Sequence, residues 1–138
     1  MKKLLLSIWV LFSISTALAC DLPVAELNAC AKLDWVEGPF VGQYSKAKLS
    51  FTTEQSTVES PDYLELEPQY VLRTYVWMIM MHHEHGGRPV VLTKLDKGQY
   101  LVDKVFFMGN MQGQWQLRFQ ILQNGQVLNE THIPVLDL

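Results

Sequence analysis

Trp115-Gln116-Leu117-Arg118-Phe119-Gln120-Ile121 alternates apolar and polar residues without a break. Successive side chains on a β-strand point to opposite faces, so this segment offers one face to a core and the other to water. Asn124-Gly125 follows, the dipeptide that best suits a two-residue type I′ hairpin, and Gln126 to Thr131 returns. A chain with this hairpin has to build an antiparallel sheet, and the rest of the sequence supplies its other strands. Lys46 to Thr53 alternates, with Ala47, Leu49 and Phe51 on the apolar side. Tyr63 to Glu67 alternates until Pro68 ends it. Tyr70 to Met81 is the longest β-like run. Tyr75, Trp77, Ile79 and Met81 share one face, and Leu72, Thr74, Val76, Met78 and Met80 the other. Both faces are apolar near its end, which predicts a buried central strand running into a loop. Pro89 to Leu95 and Tyr100 to Phe107 flank the turn Asp96-Lys97-Gly98, and Gly38-Pro39 breaks the chain further upstream. About seven or eight short strands separated by turns predict an all-β fold, an antiparallel immunoglobulin-like β-sandwich. Trp77 and Trp115 are its expected core anchors.

The N-terminus reads as a separate unit. Lys2 and Lys3 precede an apolar run from Leu4 to Leu18, and Ala17-Leu18-Ala19 fits an A-x-A cleavage site. Residues 1–19 are therefore expected to be a secretory signal peptide, with the mature chain exported to a bacterial periplasm. The run is shorter than the roughly 20 residues of a transmembrane helix. Two readings of Cys20 stay open. Thr16-Ala17-Leu18-Ala19-Cys20 loosely fits a lipobox, with Ala17 where Leu is usual, and would anchor the protein to a membrane through a lipid on Cys20. Alternatively Cys20 pairs with Cys30 in an oxidising compartment. Leu22 to Leu33 has weak helical patterning, with Val24, Leu27 and Ala31 on one side, and reads equally as a linker pinned by Cys30; residues 20–34 thus form a short N-terminal segment before a sandwich domain at 35–138. The 138-residue chain carries 11 basic and 14 acidic residues and no Lys/Arg run, which disfavours nucleic acid as a partner.

The chemistry-bearing stretch is Tyr-Val-Trp-Met-Ile-Met-Met-His-His-Glu-His-Gly-Gly, from Tyr75 to Gly87. Following the strands out, back and out again puts its loop at the same end of the sandwich as the Gly109–Gly113 loop. Met78, Met81, His83, His85 and Met111 are then expected to converge. Thioethers and imidazoles together select copper, Cu(I) through Met and either oxidation state through His. A zinc site more often combines Cys, His and carboxylate. The bland reading weighs against this: Met on a strand face is common core filler, and His82, His83 and His85 are equally a solvated loop tip. His132 reads as structural or exposed. Enzyme motifs fail. His82-His83-Glu84-His85 is not H-E-x-x-H, and neither G-x-S-x-G nor a P-loop is present.

Trp77-Met78-Ile79-Met80-Met81-His82-His83, followed by Gly86-Gly87, resembles the Trp-Met-Pro-x-Met-x-His loop of the FixH/YtkA-like exported domains. Gly98-x-Tyr100, Met111-x-Gly113-x-Trp115 and Gly38-Pro39-x-x-Gly42 extend the resemblance over roughly Trp35 to Leu136. Ile79 stands where the family has Pro, and His82 where it has a small residue. The resemblance implies an immunoglobulin-like sandwich outside the cytoplasmic membrane, associated with copper handling or assembly of copper-containing oxidases. It points to Met78, Met81, His83 and Met111 as ligands, with His82 and His85 as additions. The expected function is a non-enzymatic periplasmic domain that binds copper or delivers it to a periplasmic or inner-membrane copper protein. The alternative is a metal-independent interaction or oxidase-assembly module that uses the Met-rich loop as an apolar contact surface. Zinc or nickel buffering by the His cluster is a third reading.

Overall fold

The structure, a computed structural model, describes residues 20–137. The expected signal peptide, 1–19, lies outside the described residues. Nine strands form two antiparallel sheets: β1 (Leu22–Val24), β2 (Ala29–Glu37), β3 (Tyr44–Thr53), β4 (Tyr70–Ile79), β5 (Glu84–Gly86), β6 (Val91–Asp96), β7 (Gln99–Phe106), β8 (Gln114–Gln123) and β9 (Gln126–Asp137). One sheet has the order β1-β2-β3-β7-β6 and the other β5-β4-β8-β9. Their inner faces enclose one core, in which Ala47, Leu49, Phe51, Val102, Trp115, Leu117, Phe119 and Ile121 are buried. The expected antiparallel β-sandwich is the observed fold, with nine strands rather than seven or eight.

The differences lie where local patterning was weakest. Residues 20–34 are not a helix. They form β1, a single 3-10 turn at Ala25–Leu27 and the first part of β2, and Val24, Ala29 and Ala31 lie in the core. Their apolar residues serve a sheet whose pairing partner, β3, lies far along the sequence. Tyr63 to Glu67 is not a ladder strand, since only Tyr63 bridges to Thr52. The segment instead crosses from one sheet towards the other, with the Leu64 N–H donating to the Phe51 carbonyl at 2.8 Å.

Cys20 and Cys30 form a disulfide with Cα atoms 5.5 Å apart, tying the start of the described chain to β2. The bridge spans a sequence separation of 10. Removing closure entropy for a loop of that length stabilises the fold by about 2–3 kcal/mol. Cys30→Ser is therefore expected to lower the unfolding free energy by about that amount in urea. A variant indistinguishable from the parent would show that β1 is held by its sheet contacts alone.

Candidate functional site

Register decides which side chains of β4 face the core. β4 and β8 pair without interruption, and directly opposed residues share a face. Val76 sits opposite Leu117 and Met78 opposite Trp115, so these turn inward. Tyr75 opposes Arg118 and Trp77 opposes Gln116, so these turn outward. Trp115 is buried, as expected of an anchor. Trp77 is not a core anchor. It lies on the outer face, where its Nε1–H donates to Glu84 Oε2 at 2.9 Å. The Arg118 guanidinium stacks 5.1 Å above its ring.

The expected Met/His loop is a tight hairpin. β4 continues to Ile79, and Met80 N–H closes the turn on the His83 carbonyl at 2.9 Å. β5 then pairs back, with Met78 opposite His85 and Trp77 opposite Gly86. The reversal is thus made at Met80–His83 and not at Gly86-Gly87. The Gly109–Gly113 loop lies at the same end. A Cβ at Gly113 would fall 2.6 Å from the Ile79 carbonyl oxygen and 2.9 Å from Met78 Cε, so only glycine lets this loop rest on the end of β4. A pocket of about 340 Å³ opens between hairpin and loop, lined by Met80, Met81, His82, His83, Gln112 and Gly113.

The sequence-predicted ligands separate. Met78 is fully buried in the core and cannot present its sulfur at the surface. Met111 packs against the core and does not line the pocket, although the next two residues do. Met81 is 90% exposed at the tip. His82 and His83 are exposed beside it. The rings of His83 and His85 stack with centroids 6.0 Å apart. His85 Nδ1–H donates to the Gly86 carbonyl at 3.0 Å, so Nε2 is the ring nitrogen left outside that bond. Met80 lines the pocket while its side chain also packs on the core. Among the described residues, no three His, Cys, Asp or Glu side chains are close enough to share a metal ion. Three or more protein donors gathered at this end would therefore include thioether sulfur as well as imidazole.

Sequence reading missed a second constellation, on the outer face of β4, β8 and β9. Glu130 accepts from Tyr75 Oη–H at 2.7 Å and from Gln120 and His132. It also faces Arg118 Nη1 at 3.5 Å, and Arg118 Nε–H donates to Gln116 Oε1 at 2.9 Å. Burial alone would push the Glu130 carboxyl up, but the hydrogen bonds from Gln120, His132 and Tyr75 outweigh it. They hold the group at about 2 instead of 4.5. Burial and the bond to Glu130 push the Tyr75 phenol up. The only signal in the sequence was the polar row at 116, 118 and 120, which is also how a solvated face reads. A carboxylate depressed on folding stabilises the fold above its unfolded pKa and loses that contribution as pH falls through the folded one. The urea midpoint is therefore expected to fall between pH 4.5 and about 2, and Glu130→Gln to flatten that part of the profile. Parallel profiles for parent and variant would show that Glu130 gains nothing on folding.

The fold and the apex define a class: an all-β sandwich carrying a soft-donor hairpin against a second loop at one end. Compared with protein-family models, curated proteins and solved structures, the chain matches none.

Proposed function

We propose that this is a non-enzymatic exported domain that binds copper, as Cu(I), at the Met80–His83 hairpin and passes it to a periplasmic or inner-membrane copper protein. The observation that carries the reading is the pocket between hairpin and loop, with two thioethers and two imidazoles on its rim. That donor set matches a soft monovalent ion better than zinc or a hard cation. Met81 and His83 are the primary ligands, with Met80, His82 and His85 completing the set. Met78 supports the hairpin from the core, and Met111 anchors the opposing loop. Exposure of Met81 and His82 suits ligand exchange with a partner better than permanent storage. The Cys20–Cys30 disulfide supports an oxidising compartment, and a lipid anchor would need the Cys20 sulfur that the disulfide occupies. The resemblance to FixH/YtkA-like domains points the same way.

The test is competition for Cu(I) against a chromogenic chelator, using the mature chain. One ion per chain is expected. Met81→Ala combined with His83→Ala should weaken it by at least about tenfold, since even outer-shell changes cost about 10–100-fold at metal sites. Met111→Leu should change affinity little. No uptake at micromolar metal, or uptake indifferent to the double variant, sinks the proposal. A second reading draws on the exposed Met81: the hairpin is an adaptable apolar contact surface for a protein, with no metal. Partner capture unaffected by a copper chelator would favour it.

A further inference from the structure

The edges of the two sheets are not guarded alike. Unpaired strand edges recruit other strands, and natural proteins blunt them with short strands, prolines, lysines and bulges. β1 has three residues and contains Pro23. β6 is irregular between Lys94 and Asp96 and carries Lys94. β9 is irregular twice and contains Pro134. β4 has none of these devices. β5 covers it only from Trp77 to Ile79, so the stretch from Tyr70 to Val76 is a sheet edge with no strand beside it.

The direction of its backbone groups follows from the bonds at its two ends. The Val76 carbonyl accepts from Gly87 N–H at 2.8 Å on the β5 side. The register with β8 is unbroken along the whole strand, and the N–H and C=O of a residue point to the same side, alternating along the strand. Leu72 and Thr74 therefore aim both their N–H and their C=O away from β8. Among the described residues neither pair has a hydrogen-bond partner across that edge. The lower end is closed by Tyr70 N–H donating to the Glu67 carbonyl at 2.9 Å. Beside this window, between the sheets, lies a groove of about 380 Å³ whose apolar lining includes Leu66, Leu72, Leu92 and Tyr100. Thr74 Oγ1, on the inward row of the same stretch, is buried without a partner. On the outward row Arg73 is exposed and makes no ion pair among the described residues, whereas Lys94 across the groove is taken by Glu65.

We infer that the Leu72–Val76 edge of β4 accepts an extended segment of a partner polypeptide as an added strand. The free N–H and C=O groups of Leu72 and Thr74 are complementary to an extended backbone. The seam takes apolar side chains on the inward row, against Leu72 and Leu92. Arg73 calls for an acidic residue on the outward row. This site is independent of the metal reading, since none of its residues lines the hairpin pocket.

Residue-resolved amide exchange on the mature chain is the first test. Leu72 and Thr74 are expected to exchange at least about tenfold faster than Arg73 and Tyr75, whose amides point to β8. Equal protection would show the edge already covered and overturn the inference. A phage-displayed library of random peptides is then selected on the chain. Enriched peptides are expected to alternate, to carry an acidic residue, and to slow exchange at Leu72 and Thr74. Arg73→Glu should weaken them by about tenfold, a difference of about 1.4 kcal/mol. If no enriched peptide slows those two amides, or if Arg73→Glu leaves affinity unchanged, the inference fails. Protection that rises with the concentration of the chain alone would assign the edge to a second copy and overturn the choice of partner.

Discussion

Trp115→Ala is expected to lower the unfolding free energy by about 3–5 kcal/mol, the usual cost of removing a buried large aromatic side chain. Trp115 is buried completely, and its ring meets Phe107 edge-on with centroids 5.8 Å apart. Phe107 in turn meets Trp35 at 6.1 Å, so the three rings join β8, the residue that follows β7, and β2. Little can collapse into the space, because strands on both sides are fixed by their ladders. One feature moderates the native contribution: the Trp115 Nε1–H is buried without a partner. An orphan buried donor costs about 1–3 kcal/mol, so Trp115→Phe, which removes it, should cost far less than Trp115→Ala. Urea unfolding of both variants, followed by circular dichroism, checks the order. Equal losses would mean that the indole N–H is in fact satisfied.

The faces of β4 show how far the sequence can be read. Alternation identified the strand and its two rows. It could not choose between them, because Tyr75, Trp77 and Ile79 are as apolar as Val76, Met78 and Met80. The choice is made by β8, where Leu117 and Trp115 face inward opposite Val76 and Met78. That information is non-local, and it moved Trp77 to the surface and Met78 out of the candidate site. The β8–β9 hairpin was legible because both its rows and its Asn124-Gly125 turn agree. Neither a short helix nor a linker over Leu22–Leu33 is what forms, because three spaced apolar residues cannot reveal a partner strand beginning at Tyr44. Polar rows hide functional and structural networks alike, which is why the Glu130 cluster left no mark. The proposed ligand set differs from the one read in the sequence for a related reason. Strand parity placed the two loops together, but parity says nothing about depth, and depth separates Met81 from Met78 and Met111.

Gly98→Ala is the other substitution expected to have a large effect, about 2–5 kcal/mol, and it acts on the wall of the β4 groove. Gly98 sits in the β6–β7 turn at φ +61°, a backbone conformation costing a residue with a Cβ about 1–2 kcal/mol. The new methyl would also lie 2.4 Å from the Leu64 carbonyl oxygen and 2.9 Å from that of Phe51. Both are main-chain atoms and cannot rotate aside, so overpacking adds about 1–3 kcal/mol. Three pieces of chain meet here. Phe51 N–H donates to the Gly98 carbonyl at 2.8 Å, Leu64 N–H donates to the Phe51 carbonyl at 2.8 Å, and Gly98 N–H donates to Glu65 Oε2 at 3.3 Å. The crossing segment that carries Leu66 is therefore docked by the turn that only glycine can make. Thermal and urea unfolding should show the loss of stability. Amide exchange should show faster opening at Leu64 and Phe51 than at β8, because the damage is local to that junction. An alanine variant of parental stability would mean that the 62–66 segment moves away freely, and the groove would then lack a fixed wall.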